Sequence, residues 1–274
     1  MFKIYDLNMK EIPFPDGVMP LEIFVGSISK ERMSETADGR TGIINYGFNY
    51  TDRPVELLVR LKSHDHIDYR LLRNEMYNLF DTGEAFYVAE SHLPSRVLKV
   101  VVDDSYIPDR LTEHYADVDI NCRTLDSVFW ESTYTTLELH DSGYSAIAEK
   151  YGLVDNIDDE KVRYTFYVRD FTVWNAGNVR IRPEFMALEI TIKNLITDGN
   201  FKLENKTTGE VFGYVRPLNG EDITIEGVSV DRDGINVFRH TNHRFISLAP
   251  GDNQISVSGG YFNEISFDFK YLYK

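Results

Sequence analysis

The stretch Asp117–Trp130, DVDINCRTLDSVFW, decides the fold class of this chain. Its apolar side chains Val118, Ile120 and Cys122 alternate with charged and amide side chains at the intervening positions. Successive side chains of a β-strand point to opposite faces of the sheet, so this period of two predicts a half-buried strand. Cys122 lies on the apolar face and is therefore predicted to be a buried, unreactive thiol.

The same period of two extends through both halves of the chain. It recurs in PVELLVRLKS (54–63), and RVLKVVVDD (96–104) is apolar enough for a strand that is buried on much of both faces. From Val162 onward several more such stretches follow, separated by turn dipeptides such as Asp198-Gly199 and Asp233-Gly234. Short strands at this spacing predict an antiparallel β-sandwich in the second half.

One segment of the first half, HDHIDYRLLRNEMYNLFDTG (64–83), follows a helical period instead. Leu72, Met76 and Phe80 recur on one side of a helix, with Leu79 beside them. An aspartate at 65 or 68 is suited to cap the start, and Gly83 is suited to end the helix.

A second, shorter helix is predicted for SGYSAIAEKYG (142–152), with Ser142 as its N-cap and Gly152 at its end. The acidic run GLVDNIDDEK follows it. We therefore expect three parts: an N-terminal domain at 1–135, a linker with a short helix at 136–161, and a C-terminal sandwich at 162–274. The expected fold class is mainly β (α+β).

Charge and composition exclude several classes of partner. With 44 acidic and 29 basic side chains, the formal net charge is −15, which disfavours nucleic acid and anionic membrane surfaces. The sequence has no apolar run near the roughly 20 residues that span a bilayer, and MFKIYDLNMKEIPF lacks the order of a signal peptide. A single cysteine excludes a disulfide framework and a cysteine-based zinc site. We expect synthesis in a cytoplasm.

Motifs for catalysis or metal binding are weak. His64-Asp65-His66 has the spacing of two metal-binding imidazoles on a strand, but it lacks a third ligand and Asp65 is equally suited to cap a helix. Asp231-Arg232-Asp233-Gly234 is better explained by a hairpin turn than by a calcium loop. The sequence contains no Gly-x-Ser-x-Gly elbow and no phosphate-binding glycine loop after a strand. We predict no enzyme, no metal and no cofactor.

The stretch HTNHR (240–244) is the one candidate binding motif. On a strand, His240, Asn242 and Arg244 would share a face and could form hydrogen bonds with sugar hydroxyls. This resembles the signature strand of galectins, although a histidine replaces the proline of that family and no tryptophan follows. The carbohydrate-binding candidates are therefore His240, Asn242, Arg244 and Trp174, with Trp174 or Tyr214 as the stacking platform.

A second resemblance covers nearly the whole chain. The matching stretches are VELLVRLKSHDHIDYRLLRNEMYNLF (55–80), AFYVAESHLPSRVLKVVVDD (85–104), DINCRTLDSVFWES (119–132), FTVWNAGNVRIRPEFMALEITIKN (171–194) and GDNQISVSGGYFNEISFDFKYLYK (251–274). In this order they resemble the distal tail protein (Dit) family of long non-contractile-tailed phages of Gram-positive bacteria.

The resemblance implies both architecture and function. It implies an N-terminal belt domain, sandwich-like or split-barrel-like with one helix, that closes into a hexameric ring, and a C-terminal galectin-like β-sandwich. The ring would be a hub that connects the tail tube to the tail tip or baseplate. It would contact the tail tube protein, the tape-measure protein, the tail-associated tip protein and a receptor-binding protein, at the distal end of the tail in the virion. The alternative is a carbohydrate-binding sandwich that recognises a host cell-wall saccharide.

Overall fold

The computed structural model describes residues 1–36, 38–39, 41–81, 83–152 and 157–274. These form two compact units, Met1–Trp130 with Lys274, and Glu131–Tyr273. The first unit therefore ends slightly before the predicted boundary at residue 135. The described part of 136–161, predicted as a linker, is contained in the second unit. No helix in the described ranges is long and apolar enough to cross a membrane.

The described residues of the first unit contain ten strands before the boundary and one α-helix. The helix is α1 (His66–Phe80), and the strands are β1 (Phe2–Tyr5), β2 (Glu11–Ile12), β3 (Val18–Val25), β4 (Lys30–Glu35), β5 (Ile44–Tyr50), β6 (Pro54–Lys62), β7 (Phe86–Glu90), β8 (Arg96–Val101), β9 (Asp109–Arg110) and β10 (Tyr115–Thr124). Strand β11 (Trp130–Ser132) follows at the boundary.

The sheet of the first unit has the order β2-β1-β7-β8-β10-β6-β3. At its centre, β10 and β6 are antiparallel over nine residue pairs, so that Val118 faces Val59 and Cys122 faces Val55. The alternate residues of β10 are buried from Ala116 to Cys122, which confirms the predicted half-buried strand. Burial raises the pKa of the Cys122 thiol to about 12, so this thiol stays protonated and unreactive at neutral pH.

Helix α1 matches the predicted helix closely. The Asp65 side chain accepts hydrogen bonds from the backbone N–H groups of Ile67 and Asp68, so Asp65 is the N-cap. Leu72, Met76 and Phe80 are the buried residues of the helix, as their spacing predicts.

In the described part of the second unit, two short helices and eleven strands follow β11. The helices are α2 (Thr136–Ser142) and α3 (Tyr144–Tyr151), and the strands are β12 (Thr165–Phe166), β13 (Asp170–Asn175), β14 (Leu188–Asp198), β15 (Phe201–Asn205), β16 (Glu210–Tyr214), β17 (Pro217–Glu226), β18 (Ser229–Arg232), β19 (Ile235–Asn236), β20 (Gly251–Ser258), β21 (Glu264–Phe269) and β22 (Leu272–Tyr273). Two 3-10 turns lie at Asp159–Lys161 and Phe238–His240.

Strands β12 to β21 form two antiparallel sheets, with the orders β12-β21-β14-β17-β18-β19 and β13-β20-β15-β16. Aromatic side chains join the sheets: Phe171 of β13 stacks on Phe166 of β12 with centroids 4.1 Å apart and meets Phe267 of β21 edge to face. The sheets therefore pack as a sandwich around an aromatic core. Together with the first unit this confirms the mainly β fold class.

The predicted helix at 142–152 is correct in existence but not in its start. Ser142 is the last residue of α2, and Gly143, with φ of 79°, separates the two helices. The side chain that caps this pair is that of Thr135, which accepts from the backbone N–H of Glu138. Gly152 ends α3, as predicted.

Candidate functional site

The most exposed part of the first unit is the hairpin β4–β5. Its strands pair with each other and with no other strand of the described chain. Every residue of β4 is exposed, and β5 is exposed or half-buried throughout. A register shift lies beside Met33, and Gly47 nearby has φ of 116°.

Apolar side chains are concentrated on this hairpin. Ile43 is 68% exposed and Tyr46 is 59% exposed, and Met33 and Phe48 are exposed as well. Lys30 lies over the ring of Phe48, with its Nζ 5.4 Å from the centroid. A two-stranded hairpin is marginally stable in water, and exposed apolar groups of this kind mark an interaction surface.

The root of the hairpin is fixed by hydrogen bonds. The backbone N–H of Gly26 donates to the carbonyl of Pro54 at 2.8 Å, and that of Ser29 donates to the carbonyl of Asp52 at 2.8 Å. The buried side chain of Arg53 donates to the carbonyls of Gly26 and Val128. A fixed root presents the apolar tip in a defined direction, as a docking element requires.

The structure does not place HTNHR on a strand. Residues 238–240 form the second 3-10 turn, and His243 has a positive φ of 56°. The alternation that would put His240, Asn242 and Arg244 on one face is therefore absent. The amide of Asn242 instead accepts from the N–H of Gly213 at 3.0 Å and donates to the carbonyl of Val211 at 2.9 Å.

The predicted stacking platforms are also not brought to HTNHR. Tyr214 is 1% exposed, so a sugar ring cannot stack on it. Trp174 lies on β13, at the opposite edge of the four-stranded sheet from β16, which is bridged to Thr241. The ring of Trp174 meets Lys161 and Tyr271. Sugar binding by His240, Asn242, Arg244 and Trp174 stays a prediction, and these residues do not form one cluster.

The segment after HTNHR is held by side chains of neighbouring strands. Glu210 accepts from the N–H of Ser247 at 2.7 Å and from its hydroxyl at 2.6 Å, and Arg180 bonds to both residues. The buried amide of Asn205 donates to the carbonyl of Ser247 at 2.7 Å. These bonds fix an irregular backbone path without strand pairing.

The remaining sequence motifs have structural roles. Asp65 is the helix cap described above, and no group of three or more His, Cys, Asp or Glu among the described residues could hold a metal. Asp233 and Gly234, both with positive φ, join β18 to β19 by a two-residue turn, as predicted.

Sequence reasoning missed the hairpin. Its only signal is the stretch INYGFNY (44–50), in which aromatic residues alternate with Asn and Gly. One face of this stretch, formed by Ile44, Tyr46, Phe48 and Tyr50, has the period-two pattern of a strand.

Comparison with known proteins gives one family match and several structural matches. Residues 7–122 match the family described as phage tail protein RIFT-related domain. The crystal structure of Dit (gp 19.1) of phage SPP1 matches with a TM-score of 0.68 and 13% identity, covering 99% of this chain and 100% of that chain. A chain of the phage p2 baseplate in its activated conformation with Sr matches with a TM-score of 0.45 and 10% identity, covering 98% and 97% of the two chains. Comparison with curated protein sequences gives no match.

The match at residues 7–122 lies within the first unit and includes the hairpin, and the structural match extends over both units. Together these findings give the first unit a phage tail protein RIFT-related domain and show that the chain has the fold of SPP1 Dit.

Proposed function

We propose that this protein is a distal tail hub whose first unit closes into a hexameric ring, connecting the tail tube to the tail tip or baseplate. The RIFT-related tail domain and the Dit fold support the coarser statement, that the chain is a hub-like structural component of a phage tail. SPP1 Dit is described as a paradigm of the hub adsorption apparatus of phages that infect Gram-positive bacteria.

The β4–β5 hairpin is the observation that carries the proposal. It exposes Met33, Ile43, Tyr46 and Phe48, and its strands pair only with each other within the described ranges. A neighbouring copy that covers this surface would remove apolar area from water at about 25 cal/mol for each Å². The contact joins the hairpin of one copy to a different surface of the next, and such head-to-tail contacts generate a ring when the rotation between copies closes.

The number of copies and the partners come from the family resemblance. Six copies would enclose the central opening of the tail. The tail tube protein, the tape-measure protein, the tail-associated tip protein and a receptor-binding protein would dock on the two faces and the outside of the ring. The protein would then act in the virion by assembly and docking, without catalysis, after synthesis in the cytoplasm of the bacterial host.

The test is the mass of the full chain in solution, measured by light scattering over a concentration series and followed by negative-stain imaging. We expect a sixfold assembly of the 31.7 kDa chain with a central opening. Ile43→Ser combined with Phe48→Ser should shift the protein to monomer, while its circular dichroism spectrum stays unchanged.

The matched control is Ile107→Ser combined with Phe185→Ser. Both residues are more than three-quarters exposed, at 84% and 77%, and both lie outside the hairpin. This control should assemble like the original chain. If the hairpin variant assembles as well as the control, the hairpin is not the ring contact. If the original chain stays monomeric at every concentration, both alone and with its tail tube protein, the ring is refuted.

A further inference from the structure

One edge of the second-unit sandwich has an unusual construction. Strand β16 ends the four-stranded sheet, and β18 and β19 end the six-stranded sheet. The chain crosses between these two edges through the 3-10 turn Phe238–His240 and then bridges Tyr214 through Thr241. The N–H of Val215 donates to the carbonyl of His240 at 2.9 Å. The ends of three elements therefore meet around the Tyr214 and His240 rings, whose centroids are 6.4 Å apart.

Two polar atoms at this edge are buried without a hydrogen bond. The hydroxyl of Tyr214 and Nδ1 of His240 form no well-aligned hydrogen bond with the described residues, although both atoms are shielded from solvent. The Arg232 side chain lies near enough to the Tyr214 hydroxyl to oppose the rise in its pKa that burial causes. Buried polar atoms are nearly always satisfied, because an unsatisfied one costs about 1 to 3 kcal/mol. A bound group with several oxygen acceptors can bond to both atoms.

Three arginines surround these atoms. Arg232 is paired with Ile223 in the β-ladder and alternates with Val230, so it lies on the face of the sheet that is buried against the sandwich core. Arg239 donates from Nε to Nε2 of His240 at 3.2 Å. Arg216 follows β16 by two residues. Burial and then the charges of Arg239, Arg216 and Arg232 lower the pKa of His240.

These guanidinium groups have no ion-pair partner within the described ranges, although acidic residues outnumber basic residues in this chain. Burial, and to a smaller extent the charge of Glu221, raises the pKa of Tyr214. One carboxylate oxygen of Glu221 accepts from the N–H of Asn219 at 2.5 Å. Clustered positive charges repel one another, so a cluster without counter-charges is stabilised when an anion binds.

We propose that Arg216, Arg232 and Arg239, together with the Tyr214 hydroxyl and the His240 ring, form a binding site for the phosphate group of an anionic ligand. Guanidinium groups from three elements approach from different directions. A tetrahedral oxyanion offers acceptors in three dimensions, whereas a planar carboxylate is suited to a single bidentate fork. The remaining oxygens can accept from the Tyr214 hydroxyl and from Nδ1–H of His240. The exposed side chains of Arg216 and Arg239 are flexible enough to admit the anion.

The test measures binding to the full chain by calorimetry with three probes: inorganic phosphate, sn-glycerol 3-phosphate and a poly(glycerol phosphate) chain, with acetate and polyglutamate as carboxylate comparisons. We expect saturable phosphate binding that weakens at least about tenfold in Arg216→Gln combined with Arg239→Gln. Both arginines are exposed, so this variant is expected to fold. Arg163→Gln combined with Arg182→Gln is the control, since it removes the same charge from exposed arginines of the second unit outside the cluster.

A second readout is local to the site. The NMR titration of the His240 ring should move to higher pH when phosphate binds, because a bound anion favours the protonated imidazole. Tighter binding of poly(glycerol phosphate) than of inorganic phosphate would support the site and identify a phosphodiester polymer as the source. Binding of inorganic phosphate alone would support a site for a small phosphate. Equal binding of the carboxylates, equal binding by the control and the arginine variant, or no saturable binding would overturn the proposal.

Discussion

The hydroxyl of Thr136 is expected to be worth several kcal/mol to the second unit. Thr136, at the start of α2, is 1% exposed, donates to the carbonyl of Phe267 at 3.0 Å and accepts from the N–H of Phe269 at 3.0 Å. The N–H of Phe267 points to the same edge of β21, where it donates to the backbone carbonyl of Tyr164. Because this edge is not paired with another strand at Phe267 and Phe269, the hydroxyl replaces a strand as their partner.

Thr136→Val keeps the shape of the side chain and removes both hydrogen bonds. One carbonyl and one N–H are then left buried without a partner, at about 1 to 3 kcal/mol each, so the loss is about 2 to 6 kcal/mol. For a unit of this size, about 3 °C is lost for each kcal/mol, which predicts a fall in Tm of roughly 6 to 18 °C. Thr136→Ser keeps the hydroxyl and should lose only about 1 kcal/mol for the missing methyl group.

The assay is differential scanning calorimetry of the full chain. The control is Thr191→Val on β14, whose hydroxyl donates to the carboxylate of Glu189 at the surface, 3.1 Å away. This control should stay within about 0.5 kcal/mol of the original chain. The reasoning is refuted if Thr136→Val is as stable as the control, or if Thr136→Ser loses as much as Thr136→Val.

Three further predictions concern single positions. Two backbone N–H groups of α1 lower the pKa of Asp65, so its cap stabilises the first unit at neutral pH, and this contribution is lost as the pH falls through the lowered pKa, below about pH 4. The Tm difference between the original chain and Asp65→Ala should therefore shrink in acid, and a constant difference would count against the charged cap. Cys122, with its pKa raised to about 12, should react with a thiol reagent only after unfolding, and fast labelling of the folded chain would show that it is not buried. Gly259 and Gly209 both have φ of 74°, but a Cβ at 259 would lie 1.9 Å from the carbonyl oxygen of Asn200, whereas at 209 it would meet nothing within 4 Å. Alanine should thus cost about 1 to 2 kcal/mol at 209 and at least about 3 kcal/mol at 259 in chemical denaturation, and equal losses would contradict the close approach.

Local patterns in the sequence predict the regular elements well. The alternation in β10 and the helical spacing of Leu72, Met76 and Phe80 both report burial on one face, and both are confirmed. Helix α2 was missed because its seven residues are too few to show a helical period.

The candidate site depended on contacts that the sequence does not show. HTNHR was expected on a strand, but the amide of Asn242 bonds to the backbone at Val211 and Gly213, far away in sequence. The arginine cluster of the second unit likewise draws residues from three separate elements. Such clusters follow from strand order, which local periodicity does not encode.

The irregular segment between β19 and β20 has a consequence for how the protein can change. Its path is fixed by bonds from Glu210, Asn205 and Asn242, while the side chains of His243 and Arg244 are exposed. The bonds from Glu210 and Asn205 reach backbone groups of Ser247, so they do not depend on the side chains at His243 and Arg244. Substitutions at these two positions can therefore change the outer surface while the path stays the same, so that new contacts arise without refolding.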